Sequence, residues 1–219
     1  MNVGFIGAGK VGCSFGKYFQ EHKIQVTGFY SKSEDSSLAA SNFTSSKQYL
    51  NLRELVDEND TIFITTPDGQ IQEVWQEIKN YQIKNKLICH CSGAISSDIF
   101  SNIQDYGAYG YSVHPMFSIS DKYNSYKKLK KSFITIEGDE KYAKFLCDFF
   151  KKLGNSTVIV SKENKSLYHA ASVVSSNLVL GLINTSVTYL IQCGFTEKMA
   201  IEALYPLIEF NIRNIKEKG

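Results

Sequence analysis

NVGFIGAGKVGCSFGKYFQ, residues 2–20, decides the fold. Asn2–Ile6 is a short apolar strand, and Ser14–Gln20 spaces its apolar residues as a helix does. Between them Gly7-Ala8-Gly9-Lys10-Val11-Gly12 matches G-x-G-x-x-G at the mouth of that helix. Each glycine has its own task there. Gly7 makes the tight turn, Gly9 lets the backbone approach a pyrophosphate, and Gly12 lets helix and strand pack closely. The unpaired N–H groups of the helix would face the phosphates. The motif alone is common; its strand–turn–helix setting makes it specific for a dinucleotide.

Working outward, Ile24–Tyr30 is expected to be the second strand, followed by a loop and a short helix over 36–41. The polar stretch around Thr44 leaves room for a strand that its composition hides. A short helix is expected over 50–56, a strand over Asp60–Thr65, a helix over 71–80, and strands over 86–90 and 109–113. Further strands are expected over 131–138 and 156–160, flanking a helix over 140–153 that Gly154 closes. Strands alternating with helices at this spacing predict an α/β fold, a doubly wound and mostly parallel sheet. From about Lys162 the pattern turns into one long helix reaching Cys193, then a second from Thr196 toward Leu207. The chain therefore divides into a dinucleotide-binding domain over 1–160 and a helical segment over 161–219. The polar, uncapped 211–219 suggests that this helical domain stops short.

Lys and Arg total 24 against 22 Asp and Glu, too even a balance for a nucleic-acid or anionic-membrane partner. Lys127, Lys128, Lys130 and Lys131 read as a solvated segment. The N-terminus enters a strand at once, unlike a signal peptide. No uninterrupted apolar run of about 18 residues occurs; Val173–Ile191 is broken by serines, threonines and asparagines. The five cysteines, scattered in apolar segments, suit a reducing cytoplasm. A soluble, cytoplasmic protein acting on a small molecule is expected.

The end of the second strand selects the cofactor. An NAD site places a carboxylate there for the ribose 2′-hydroxyl, whereas Ser31, Lys32 and Ser33 offer hydroxyls and an ammonium. These suit a 2′-phosphate, so NADP(H) is expected over NAD(H). Thr65, Thr66 and Pro67 close the next central strand at the carboxyl edge and are expected to line the nicotinamide side. Asp68 is placed to cap the helix that follows.

Cys89-His90-Cys91 resembles a metal cluster, but alternation along a strand puts His90 opposite the two cysteines. Core cysteines and a structural histidine are expected, with no metal. Ser92 follows at the carboxyl end of that strand, over the cofactor. His114 holds the equivalent place on the next strand. On the long helix, Lys165 and His169 share a face, continued by Ser172 and Ser176. Such a stripe either forms a hydrogen-bonded seam or walls a substrate cleft, where Lys165 or His169 could donate a proton as hydride arrives.

Together GFIGAGKVG, GFYSKS, HCSGA at 90–94, SVHPMFS at 112–118 and KSLYHAASVVSSN at 165–177 resemble the family joining a Rossmann-like N-terminal domain to a DUF2520 C-terminal domain. More broadly, the chain is similar to 6-phosphogluconate dehydrogenase, pyrroline-5-carboxylate reductase and the F420-dependent NADP oxidoreductases. The resemblance implies that the helix after the nucleotide domain supplies a lysine and an asparagine to the reacting group. Lys165 and Asn177 match in type and placement. Their spacing departs from the group's single turn, where His169 stands instead. It also implies further C-terminal helices that complete a homodimer. The activity expected is an NADP(H)-dependent oxidoreductase working on a small carbonyl, imine or hydroxy compound, with His114, Lys165, His169 and Asn177 facing the nicotinamide. A sensor that binds NADP(H) without chemistry is the alternative, and an F420-linked reductase a third possibility.

Overall fold

Alternation on the central strands builds two cores, one on each face of the sheet. Val3, Phe5, Phe63, Cys89 and Tyr111 point to one side, and Ile6, Ile62, Ile64 and Ile88 to the other. The protein is described here by a computed structural model covering residues 1–218. In chain order the elements are β1 (Asn2–Ile6), α1 (Lys10–Glu21), β2 (Gln25–Tyr30), α2 (Glu34–Thr44), β3 (Lys47–Gln48), α3 (Leu52–Glu58) and β4 (Thr61–Ile64). There follow α4 (Asp68–Ile78), β5 (Leu87–His90), β6 (Tyr109–Met116), β7 (Phe133–Gly138), α5 (Glu140–Lys152) and β8 (Ser156–Ile159). The chain then continues through α6 (Lys165–Val173), α7 (Val179–Gln192) and α8 (Glu197–Lys218), with a π-turn over Val174–Leu178 between α6 and α7.

These strands make one eight-stranded sheet in the order β3-β2-β1-β4-β5-β6-β7-β8. Every neighbouring pair is parallel except β6 and β7. The expected α/β architecture, with helices after it, is the one observed. The core under α1 and α5 is aromatic: Phe5 stacks on Phe29 at 5.0 Å and on Phe63 at 5.6 Å, while Phe15 meets Phe150 edge-on at 6.1 Å. On the other face the single tryptophan, Trp75 of α4, lies edge-on to Phe100 at 5.5 Å.

Three elements differ from the sequence expectation. The hidden strand is β3, two residues long and displaced to Lys47–Gln48, while Thr44 ends α2. β6 runs on through His114 and Pro115 to Met116. Its β5 partner stops opposite Ser112, so no ladder on that side continues as far as the proline, a position where a strand tolerates one. α8 continues beyond Leu207 to Lys218 with Pro206 inside it.

The chain forms two compact units, Met1–Tyr168 and His169 onward. The first holds the sheet, its flanking helices and the opening turn of α6. The second consists of the rest of that helical stretch and α8. Ser175, Ser176, Thr185, Ser186 and Thr188 turn their hydroxyls back onto carbonyls of their own helix. This leaves an apolar exterior, with Leu180, Leu182, Tyr189, Leu207 and Phe210 exposed. By length and composition alone, the helical stretch Lys162–Gln192 could cross a membrane, its mean hydropathy reaching 1.4.

Candidate active site

The glycine loop is held by its neighbours and left open above. Gly7 has φ +104°, which side chains with a Cβ rarely adopt. Its N–H donates to Tyr30 O at 2.8 Å. Thr65, at the end of β4, donates through its N–H to Ile6 O and through Oγ1 to Gly7 O, each at 2.8 Å. A Cβ on Gly12 would stand 2.5 Å from both Gly7 O and Thr65 Oγ1, so α1 can approach the strand only with glycine there. Over Gly9 a Cβ would meet nothing within 4 Å. Neither a side-chain cap nor a first-turn carboxylate occupies the start of α1, so its N–H groups remain directed at that open space.

The cleft beside this loop has a volume of about 170 Å³; Gly7, Ala8, Gly9, Ser31, Thr66 and Pro67 are among its walls. Thr66 Oγ1 is buried and has no hydrogen-bond partner among the described residues. An uncapped helix start, open space over Gly9 and an unsatisfied hydroxyl fit a dinucleotide whose phosphates and ribose bring acceptors and donors. Lys10 and Val11 begin α1 beside them. Of the three residues expected at the 2′-phosphate, Ser33 caps α2 by accepting from Ser36 N at 3.3 Å. Ser31 Oγ accepts from Ser33 N at 3.4 Å. Lys32 is paired with Glu73 of α4 at 2.9 Å.

Next to the cleft, a polar network joins the ends of β5 and β6 to α6. His90 is fully buried and accepts from Ser92 N at its Nδ1 (3.2 Å), which places its hydrogen on Nε2, toward Ser96 O at 3.3 Å. Burial pushes its pKa down to about 3, so it is a neutral strut for the 90–96 turn, and Cys89 lies on the opposite face. Ser92 Oγ accepts from Ala94 N and Ile95 N, both at 3.1 Å, and donates to Asp68 Oδ2 at 2.8 Å. Asp68 thus does not cap α4, as the sequence suggested. Pro67 precedes the helix without a side-chain cap, and the Asp68 carboxylate ties the cleft wall to the β5 end.

Ser112 Oγ donates to Ser92 O at 3.0 Å and accepts from Lys165 Nζ at 2.6 Å. Lys165 is buried, 3% exposed. Desolvation draws its pKa below the ordinary lysine value, against the opposing carboxylates of Glu137 and Asp68. Glu137 is itself buried, accepting from Ser97 N and Oγ at 2.8 and 2.7 Å. Beside Lys165 stands Tyr168, one turn on, its ring centre 5.5 Å from the ammonium. Tyr168 Oη lies 2.6 Å from His114 Nδ1 and accepts from Thr135 Oγ1 at 3.2 Å. With Thr135 donating, the phenol hydrogen can go to His114 Nδ1, leaving the imidazole hydrogen on Nε2, the edge that abuts Gly93.

His114, Lys165 and Ser92 therefore come together within the first unit. His169, half-buried, and Asn177, exposed, belong to the second, where the Asn177 side chain lies 2.9 Å from Ser176 Oγ. Tyr168, Ser112 and Thr135 escaped the sequence analysis. For Tyr168 a signal was present, since it lies one turn from Lys165 on the same helix. Thr135 is brought in by the antiparallel register that sets it opposite His114.

Two family models cover most of this chain: a Rossmann-like domain over residues 1–115 and the domain of unknown function DUF2520 over 132–219. The chain belongs to the Rossmann-like/DUF2520 family. Among curated proteins none matches it. A Thermotoga maritima protein, TM1727, has a structure similar to this family member, with TM-score 0.76 and 23% identity over 98% of this chain and 78% of that one. Plasmodium falciparum pyrroline carboxylate reductase, solved with NADP bound, is similar at TM-score 0.71 and 13% identity, covering 100% of this chain and 79% of that one. Aspergillus terreus reductive aminase, in complex with NADPH, gives TM-score 0.74 and 10% identity over 98% and 74%. At these identities the likeness shows a shared fold.

Proposed function

We propose that this chain is an NADP(H)-dependent oxidoreductase that moves a hydride to or from a small carbonyl, imine or hydroxy compound. The observation that carries the proposal is the buried Lys165, hydrogen-bonded to Ser112 and set beside the His114–Tyr168 pair. A lone buried ammonium is costly, and a binding cleft alone does not require one. The pyrroline carboxylate reductase and the reductive aminase that share the fold were solved with NADP and NADPH, which supports the same cofactor class here.

The cofactor, when bound, supplies or accepts the hydride. Gly7 to Gly12 and the start of α1 would hold its pyrophosphate, and Ser31 and Lys32 its adenosine end. Thr66 and Pro67 wall the side toward the β5 end. Lys165, with its pKa lowered by burial, gives up a proton more readily than a surface lysine, and a carbonyl oxygen or imine nitrogen needs one as hydride arrives. Ser112 fixes the direction of that ammonium. Tyr168 and His114 offer a second path for the proton, from phenol to imidazole.

NADPH consumption with cyclic imines, 2-oxo acids and aldehydes tests the proposal. Lys165→Met should lower turnover by at least about a hundredfold with NADPH affinity unchanged. A protein that binds NADPH and turns over none of these compounds would instead be a sensor.

We also propose that a second copy covers the apolar exterior of α7 and α8, because isologous pairing buries such a face twice over. Sedimentation equilibrium should show a dimer. A monomer that partitions onto lipid vesicles would refute it.

A further inference from the structure

We propose that Glu73 sets the cofactor choice of the cleft by competing with a 2′-phosphate for Lys32; this rests on the cofactor reading above. Among the described residues, Lys32 is the one cation lining the cleft, and Glu73 and Glu77 line the same wall. Lys32 Nζ reaches Glu73 Oε1 at 2.9 Å, with both side chains about two-thirds exposed. Glu77 has a partner of its own, accepting from Tyr81 Oη at 3.0 Å.

The consequence is electrostatic. One lysine and two glutamates leave this rim with a net negative charge, and a phosphate monoester brings up to two more negative charges to it. To be bound, it must draw Lys32 away from Glu73 and lie beside a carboxylate that repels it. A ribose 2′-hydroxyl meets no such penalty, because it can donate to Glu73 and leave the pair intact. The rim therefore admits NADH better than Ser31-Lys32-Ser33 alone would suggest. In a dinucleotide site the carboxylate that reads the 2′-hydroxyl usually ends the second strand; here it comes from α4.

The test is a fluorescence titration of the full chain and its variants with NADPH and, separately, NADH. Glu73→Gln should bind NADPH about fivefold more tightly, the scale of one exposed ion pair released, and NADH no more tightly than before. In a Lys32→Ala background the same substitution should give a smaller gain, because only the direct repulsion by Glu73 is then relieved and no lysine is released. An unchanged NADPH-to-NADH ratio in Glu73→Gln overturns the proposal, as does a gain undiminished by the loss of Lys32. If the unaltered protein bound neither cofactor, the reading of the cleft would fall and this one with it; binding with an unmoved ratio removes this one alone.

Discussion

His90 should make the stability of the sheet depend on pH in a window where few other groups act. The side chain is fully buried, accepts a backbone N–H at Nδ1, and faces a carbonyl at Nε2. Protonation would turn Nδ1 from acceptor to donor against the Ser92 N–H. Burial, with smaller contributions from the charges of Lys165 and His114, pushes its pKa from 6.5 down to about 3. The unfolded chain, with the ordinary value, binds the proton first as pH falls. Stability is therefore complete above the unfolded pKa and is lost on acidification toward the folded one. Integrated from about pH 7 to about pH 5, one such histidine removes about 2 kcal/mol. Urea unfolding followed by Trp75 emission is a local probe, since Trp75 packs on Phe100 and Phe100 on His90 at 5.4 Å. His90→Gln can accept from Ser92 N but does not titrate. The unaltered protein should lose about 2 kcal/mol more than this variant over that interval. Equal losses would refute the buried, neutral assignment.

Gly12→Ala should destabilise the protein by about 2 kcal/mol, because the new methyl meets Gly7 O and Thr65 Oγ1 at 2.5 Å. It should weaken NADPH and NADH alike, which thermal melts and paired titrations would show. Ser112→Ala removes the acceptor of the Lys165 ammonium, which favours the uncharged amine and lowers its pKa further. Its turnover should fall by about tenfold, with the limb of the pH–rate profile that reports Lys165 moving to lower pH; an unmoved limb would make Ser112 merely structural.

Much of the fold was legible because burial on both faces forces a recognisable pattern: β1, β4 and β5 are apolar runs closed by glycine, Thr-Pro or Ser-Gly. β3 was misplaced because Lys47 and Gln48 at the sheet edge need no apolar side chain. The end of β6 was hidden by Pro115, which reads as a stop unless one knows that its β5 neighbour has already ended. At the site, the glycine loop and Lys165 stand out by residue type, whereas Ser112, Thr135 and Glu73 are ordinary residues. Their place around the site follows from strand register and from the approach of α4 to the end of β2, which local spacing does not encode. Asp68 misled for a related reason. At a helix start its carboxylate had a local partner on offer, and a serine 24 residues away supplied the one it takes.

The strand that carries His114 outlasts β5 by four residues and is paired along that overhang with β7, through Met116 and Phe133. A histidine on a surface loop exchanges its backbone hydrogens with solvent whenever the loop frays. One woven into a ladder is released only with the ladder. Deuterium uptake at Val113 and His114 would then follow opening of the whole sheet, and the orientation of that imidazole would persist for as long as the molecule stays folded.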